Sequence, residues 1–148
     1  MTGEDTRHSV SVAGVVIDEH GRTLVIQRRD NEHWEPPGGI LEHDETITDG
    51  LLREVREETG LIVEPVALTG VYKNMSRGIV ALVFRCRAVG GALRENSEVA
   101  GFRWVRESEV STLMSEAYAV RVLDAYRHST APFVREHDGV RLVVPRAN

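Results

Sequence analysis

The sequence predicts an α+β fold in which helices pack on a mixed β-sheet. Three observations point there. Strand-like, β-branched runs recur along the chain, and only two segments carry the spacing of amphipathic helices. At 148 residues the chain can bury roughly 70% of its unfolded surface in one core. No repeat or linker divides it, so residues 1–148 are expected to form a single domain. Residues 1–8 are expected to be a flexible tail, and 131–148 a C-terminal hairpin extension.

The elements follow in order. SVSVAGVVI (9–17) is β-branched, Asp18-Glu19-His20-Gly21 is turn chemistry, and TLVIQR (23–28) returns as a strand, which predicts a hairpin. Asp30 to Pro37 reads as a polar loop ending in two prolines. Thr46 to Glu58 is helical, with Ile47, Leu51 and Val55 spaced by four, and Gly60 stands where a left-handed cap is expected. Leu61–Lys73 and Gly78–Val89 read as long strands, and Gly101–Arg106 as a shorter one. Ala119, Val122, Leu123 and Tyr126 fall at i, i+3, i+4 and i+7, predicting a helix over Ala117–His128. Asp138-Gly139 lies between short apolar runs, a turn for a final hairpin.

Composition excludes several classes of function. The longest apolar run, Ile79–Phe84, is far too short to span a bilayer, and the N-terminus lacks the apolar core of a signal peptide. Cys86, the single cysteine, has no internal disulfide partner and reads as a small buried hydrophobe. A cytoplasmic protein is expected. The chain carries 23 acids and 18 bases, a net −5, and Glu42–Glu58 alone carries seven acids and two bases, also −5. The remainder is neutral and has no basic stripe for a nucleic-acid duplex.

That acidic stretch needs a reason. Glu54, Glu57 and Glu58 are related by i, i+3 and i+4, so they share one helical face beside the apolar stripe. Like charges at i, i+4 oppose the helix, and Arg53 can neutralise only part of three carboxylates. A hard divalent cation suits an all-oxygen cluster, and Mg²⁺ combines a few carboxylates with substrate phosphates.

Gly39, Glu45, Arg53-Glu54-Val55, Glu57-Glu58 and Gly60-Leu61 match every defined position of G-x5-E-x7-R-E-U-x-E-E-x-G-U, with U aliphatic. This is the 23-residue box of the Nudix hydrolases, and the order of strands around it also resembles that family. The resemblance implies an α/β/α sandwich around a mixed sheet. It also implies hydrolysis of a nucleoside diphosphate linked to another moiety, with Mg²⁺ or, in its place, Mn²⁺. Carried over residue by residue, it gives Glu54, Glu57 and Glu58 as metal ligands, joined by the Gly38 carbonyl. Arg53 would orient the glutamates and Glu45 would support the loop. Glu98, six residues before Trp104, stands where some members place a further ligand or base, with Glu95 as its competitor and a plain surface loop as the other reading. Asp44 and Gly50 depart from the usual glycine and alanine, but neither occupies a metal position.

For substrate binding, Arg28 at the end of the second strand is the candidate for the phosphates, against an ordinary solvated strand end. Trp34 in HWEPPGG could stack on a base or pack on the prolines. Members acting on ADP-ribose commonly carry a proline about fifteen residues past the box, where this chain has Met75 and Ser76. Diadenosine polyphosphate members carry a tyrosine about two residues further, where this chain has Gly78. The absences leave a MutT-type nucleoside triphosphate pyrophosphohydrolase as the default. An ADP-ribose or nucleotide-sugar pyrophosphatase is the alternative enzyme, and a catalytically silent nucleotide-sensing domain the alternative of another class. Homodimers are common among proteins of this resemblance.

Overall fold

The computed structural model describes residues 6–144; residues 1–5 of the expected tail and 145–148 of the expected extension lie outside them. The elements run β1 (Ser9–Val16), β2 (Thr23–Arg28), β3 (Trp34–Glu35), β4 (Gly38–Ile40), α1 (Ile47–Thr59), β5 (Leu61–Asn74), β6 (Ile79–Gly91), β7 (Val99–Val105), α2 (Val110–Leu113), α3 (Glu116–Ala125), β8 (Phe133–His137) and β9 (Leu142–Val143). A six-stranded sheet has the order β4-β1-β6-β5-β8-β9, and a three-stranded sheet the order β3-β2-β7. The larger sheet is mixed: β1 and β6 are parallel, as are β5 and β8, and its other pairs are antiparallel.

Strand alternation divides the core into two layers. On one face Val12 and Val16 of β1 pack with Leu51 and Val55 of α1, together with Leu61, Val63 and Cys86. On the other, Ala13 and Val15 pack with Ala119, Val122 and Ala125 of α3 and with Tyr72 and Val83. The sheet therefore lies between α1 and α3, an α/β/α arrangement. Cys86 is buried, and the burial pushes its thiol up to about 12. Among the described residues no helix is long and apolar enough to cross a membrane.

The expected β1–β2 hairpin does not form. Its turn does: the Asp18 carboxylate accepts from the His20 and Arg22 amides at 2.9 and 2.8 Å. Beyond the single bridge Ile17–Thr23 the strands part into different sheets. β6 takes one edge of β1 along its whole length and β4 takes the other over Ser11–Ala13, so β2 continues the turn for only one bridge. β2 instead pairs with β3 and β7. The expected polar loop thus contains β3, and Gly38–Ile40 forms an edge strand on β1 that local composition did not reveal. The final hairpin forms as β8 and β9 around Asp138-Gly139.

Candidate active site

Helix α1 is fixed at both ends by its own sequence. The Thr46 hydroxyl accepts from the Asp49 amide at 3.1 Å, and Gly60 ends the helix at φ 86°, a conformation glycine adopts without strain. Between these caps the three glutamates fan out rather than standing equivalent. Glu58 is only 4% exposed, the Glu54 side chain beside the glycine loop is 13% exposed, and the Glu57 side chain is 60% exposed.

Arg53 sits at the hub. Its Nε and Nη2 donate to the two oxygens of Glu45 at 2.8 and 2.6 Å, a bidentate pair. Its Nη1 reaches Glu54 at 2.8 Å and Glu57 at 3.3 Å, and Nη2 also donates to the Ile40 carbonyl at 3.3 Å. The guanidinium pulls the Glu45 carboxyl down to about 2, and Glu45 in turn raises Arg53 above its ordinary range. The Glu45 carboxylate also accepts from the Glu42 amide at 2.9 Å, which ties the loop to α1.

Glu58 lies under the glycine loop and accepts from the Gly38 N–H at 2.6 Å. Burial pushes its carboxyl up to about 8. The Gly38 amide opposes that rise, and the neighbouring charges of Glu54, Glu35 and Glu98 add to it. Burial likewise raises Glu54, against the pull of Arg53. A Cβ at Gly39 would overlap the Glu54 carboxylate and push it off its place beside Arg53.

Glu98 is brought to this cluster by the 92–98 loop. Asn96 Nδ2 donates to the Glu58 carbonyl at 2.8 Å, and the Glu98 amide donates to the Asn96 side chain at 2.9 Å. Glu98 and Glu58 line one cavity of about 450 Å³ with Arg28, Arg29 and Asp30. Arg28 is held by Asp30 at 2.7 Å and by Glu35 at 3.2 Å. Trp34 packs against the α3-side core, with Arg103 5.6 Å over its ring, and lines a larger cavity of about 620 Å³.

Sequence reasoning passed over Glu35 and Arg121, both of which reach the site's walls. Glu35 could have been noticed as the carboxylate nearest the glycine pair in HWEPPGG. Arg121 shares the i, i+4, i+7 face of Ala117 and Asp124, all three of them buried.

The donor set fits a divalent cation in kind: every atom is oxygen, and the Arg53 guanidinium is shared among Glu45, Glu54 and Glu57. Among the described residues, however, no three acidic, histidine or cysteine side chains converge tightly enough to hold an ion. Glu54 and Glu57 lean on Arg53, and Glu58 on Gly38. A cation would have to draw them together, in exchange for relieving the repulsion around Glu58.

The fold is an α/β/α sandwich, and one buried face of α1 carries Glu58 among other carboxylates beside Gly38. Residues 7–126 match the family model described as the NUDIX domain. A "MutT-like protein" of Streptomyces ambofaciens is 57% identical over 136 residues, which cover 92% of this chain and 88% of that protein. An ADP-ribose pyrophosphatase of Methanocaldococcus jannaschii is 33% identical over 97 residues, covering 61% of this chain and 57% of that protein. Among solved structures, an ADP-ribose pyrophosphatase from Streptococcus suis superposes with a TM-score of 0.71 at 22% identity, covering 88% of this chain and 100% of that one. At that identity the likeness speaks for the fold alone. The chain belongs to the Nudix hydrolase family and is a pyrophosphohydrolase.

Proposed function

We propose that the protein is a Mg²⁺-dependent nucleoside triphosphate pyrophosphohydrolase, with Mn²⁺ able to replace Mg²⁺. The observation that carries this reading is Glu58: a buried carboxylate, short of positive charge, among Glu54, Glu35 and Glu98. Glu54, Glu57, Glu58 and the Gly38 carbonyl would hold the cation. When bound, such an ion polarises a phosphoryl oxygen and lowers the pKa of water. Arg53 positions Glu54 and Glu57 through its ion pairs. Glu98, at the mouth of the same cavity as Glu58, is the group assigned to take a proton from the attacking water. Arg28 neutralises phosphate charge, although Asp30 and Glu35 already share its guanidinium.

The name of the MutT-like relative agrees with a MutT-type reading, and the complete box argues against a silent sensor. The named activity of the archaeal relative favours a second reading, an ADP-ribose pyrophosphatase. Product analysis over a panel of nucleoside triphosphates, ADP-ribose and nucleotide sugars, with Mg²⁺ and with EDTA, decides between them. The triphosphate reading expects nucleoside monophosphate and pyrophosphate, both abolished by EDTA. Release of AMP and ribose 5-phosphate from ADP-ribose, with triphosphates untouched, would replace it by the second.

A further inference from the structure

Away from the acidic helix, the structure buries an arginine that has poor company. Arg121 on α3 is 8% exposed. Its guanidinium lies over the rings of Tyr118 and Tyr72, at 4.7 and 5.5 Å from their centroids. Among the described residues no carboxylate forms an ion pair with it. Glu35, the acid whose field reaches it, is already tied to Arg28 at 3.2 Å.

Its hydrogen bonds are also short in number. Nε is buried and finds no acceptor among the described residues. Nη2 faces His137 Nε2 at 3.1 Å, while His137 Nδ1 takes the Gly139 N–H at 3.0 Å. A neutral imidazole accepts at one nitrogen only, so His137 cannot serve both donors. Arg135 shows what a structural arginine looks like in this fold: two bonds, at 2.7 and 2.9 Å, to the Asp124 carboxylate.

Arg121 also reaches the substrate side of the molecule. With Tyr118, Glu35 and Arg28 it lines a cavity of about 210 Å³ that is also lined by Gly38 and Gly39, the former bonded to Glu58. That volume is below the roughly 300–1,000 Å³ that encloses a whole drug-sized ligand, so it admits part of a nucleotide. The wall carries a carboxylate as well as the guanidinium. Charges of both signs suit a neutral base, with donors and acceptors on its edges, better than a phosphate.

We propose that Arg121, backed by Tyr118, reads the base of the substrate and selects one with paired acceptors on an edge, such as guanine, over one presenting an amino group, such as adenine. Guanine offers O6 and N7, both acceptors, whereas adenine sets its N6 amino group against the arginine's own N–H groups. This rests on the nucleotide reading above and adds the class of base.

The test is equilibrium binding of GMP, IMP and AMP to the whole chain with Mg²⁺, alongside hydrolysis of GTP and ATP. GMP and IMP, which share O6 and N7, are expected to bind roughly 10-fold more tightly than AMP. Arg121→Met, similar in length and uncharged, should bring the three within about 3-fold, with thermal melting checking that it folds. Should that variant not fold, the wild-type GMP, IMP and AMP series decides by itself. Equal affinities in the wild type, a preference for AMP, or an equal loss for all three in Arg121→Met would overturn the assignment; the last would mark Arg121 as a phosphate contact. If no triphosphate is hydrolysed but the binding ratio holds, the activity proposed above fails and the base reader stands. Hydrolysis with no base preference is the reverse.

Discussion

Glu58 and Asp124 are both buried carboxylates, at 4% and 1% exposure, on helices facing opposite sides of one sheet. Their surroundings differ in kind. Asp124 accepts from the Tyr72 hydroxyl at 2.8 Å and from two Arg135 nitrogens at 2.7 and 2.9 Å. Glu58 accepts the Gly38 amide and otherwise faces other acids. One charge is answered within the fold, and its work is to lock α3 against β5 and β8. The other is left for something outside the chain to answer. Burial alone therefore marks neither a site nor a structural pair; the balance of charge around the buried group does.

Exchanging each acid for its amide separates the two. Glu57→Gln and Glu58→Gln are each expected to lower turnover roughly 100-fold or more in a Mg²⁺-supplemented assay, while the protein stays folded. Full activity in both would remove the metal-binding assignment. Asp124→Asn should do the opposite. Breaking a buried ion pair with Arg135 is expected to cost about 3 kcal/mol in urea unfolding, with turnover per folded molecule far less affected than in the Glu58 variant. Stability equal to wild type would show that Asp124 and Arg135 do not lock α3 against β8.

The pH response sharpens the contrast. The Glu58 carboxyl lies at about 8 in the folded protein, above its ordinary 4.5, so between those values the folded state holds a proton that the unfolded state has lost. Its contribution to stability is therefore complete below 4.5, declines as pH rises, and is exhausted above about 8. In EDTA, wild type should lose stability relative to Glu58→Gln across that window, by at most about 1.4 kcal/mol per pH unit. Parallel urea midpoints for the two proteins from pH 5 to 8 would contradict the burial of an unanswered carboxylate.

How far the sequence carried this picture depended on how local each cause was. Helix α1 was legible from Thr46 to Gly60 because its caps and its apolar stripe lie within fifteen residues. The long strands β5 and β6 and the helix α3 declared themselves by periodicity in the same way. The β1–β2 pairing was misread because ownership of a strand edge is a long-range matter: β6, some seventy residues on, takes the place beside β1. Strands β3 and β4 are short and flanked by proline and glycine, so only their partners make them strands. Arg121 could not be placed from spacing either. Its meaning comes from α3 lying against Tyr72 and close to the glycine loop, a meeting that only the folded sheet arranges.

Gly50 gives the smallest and most delicate test of the region around Glu58. By propensity alone, Gly50→Ala in mid-helix should stabilise by about 1 kcal/mol. The added methyl, however, would overlap Leu41 Cδ1 and press on Glu45 Oε1, 2.9 Å away. Leu41 can turn aside, but Glu45 is fixed by two bonds to Arg53. The helix gain should then be spent on displacing Glu45, leaving stability within about 1 kcal/mol of wild type and slightly below it. Because Arg53 also carries Glu54 and Glu57, the same displacement should lower turnover by a few-fold. Urea unfolding and Mg²⁺-supported turnover, measured on the one variant, read both effects. A stabilisation of the full 1 kcal/mol with unchanged turnover would mean that the Glu45–Arg53 pair yields freely, and that the glutamates of α1 are not positioned through it.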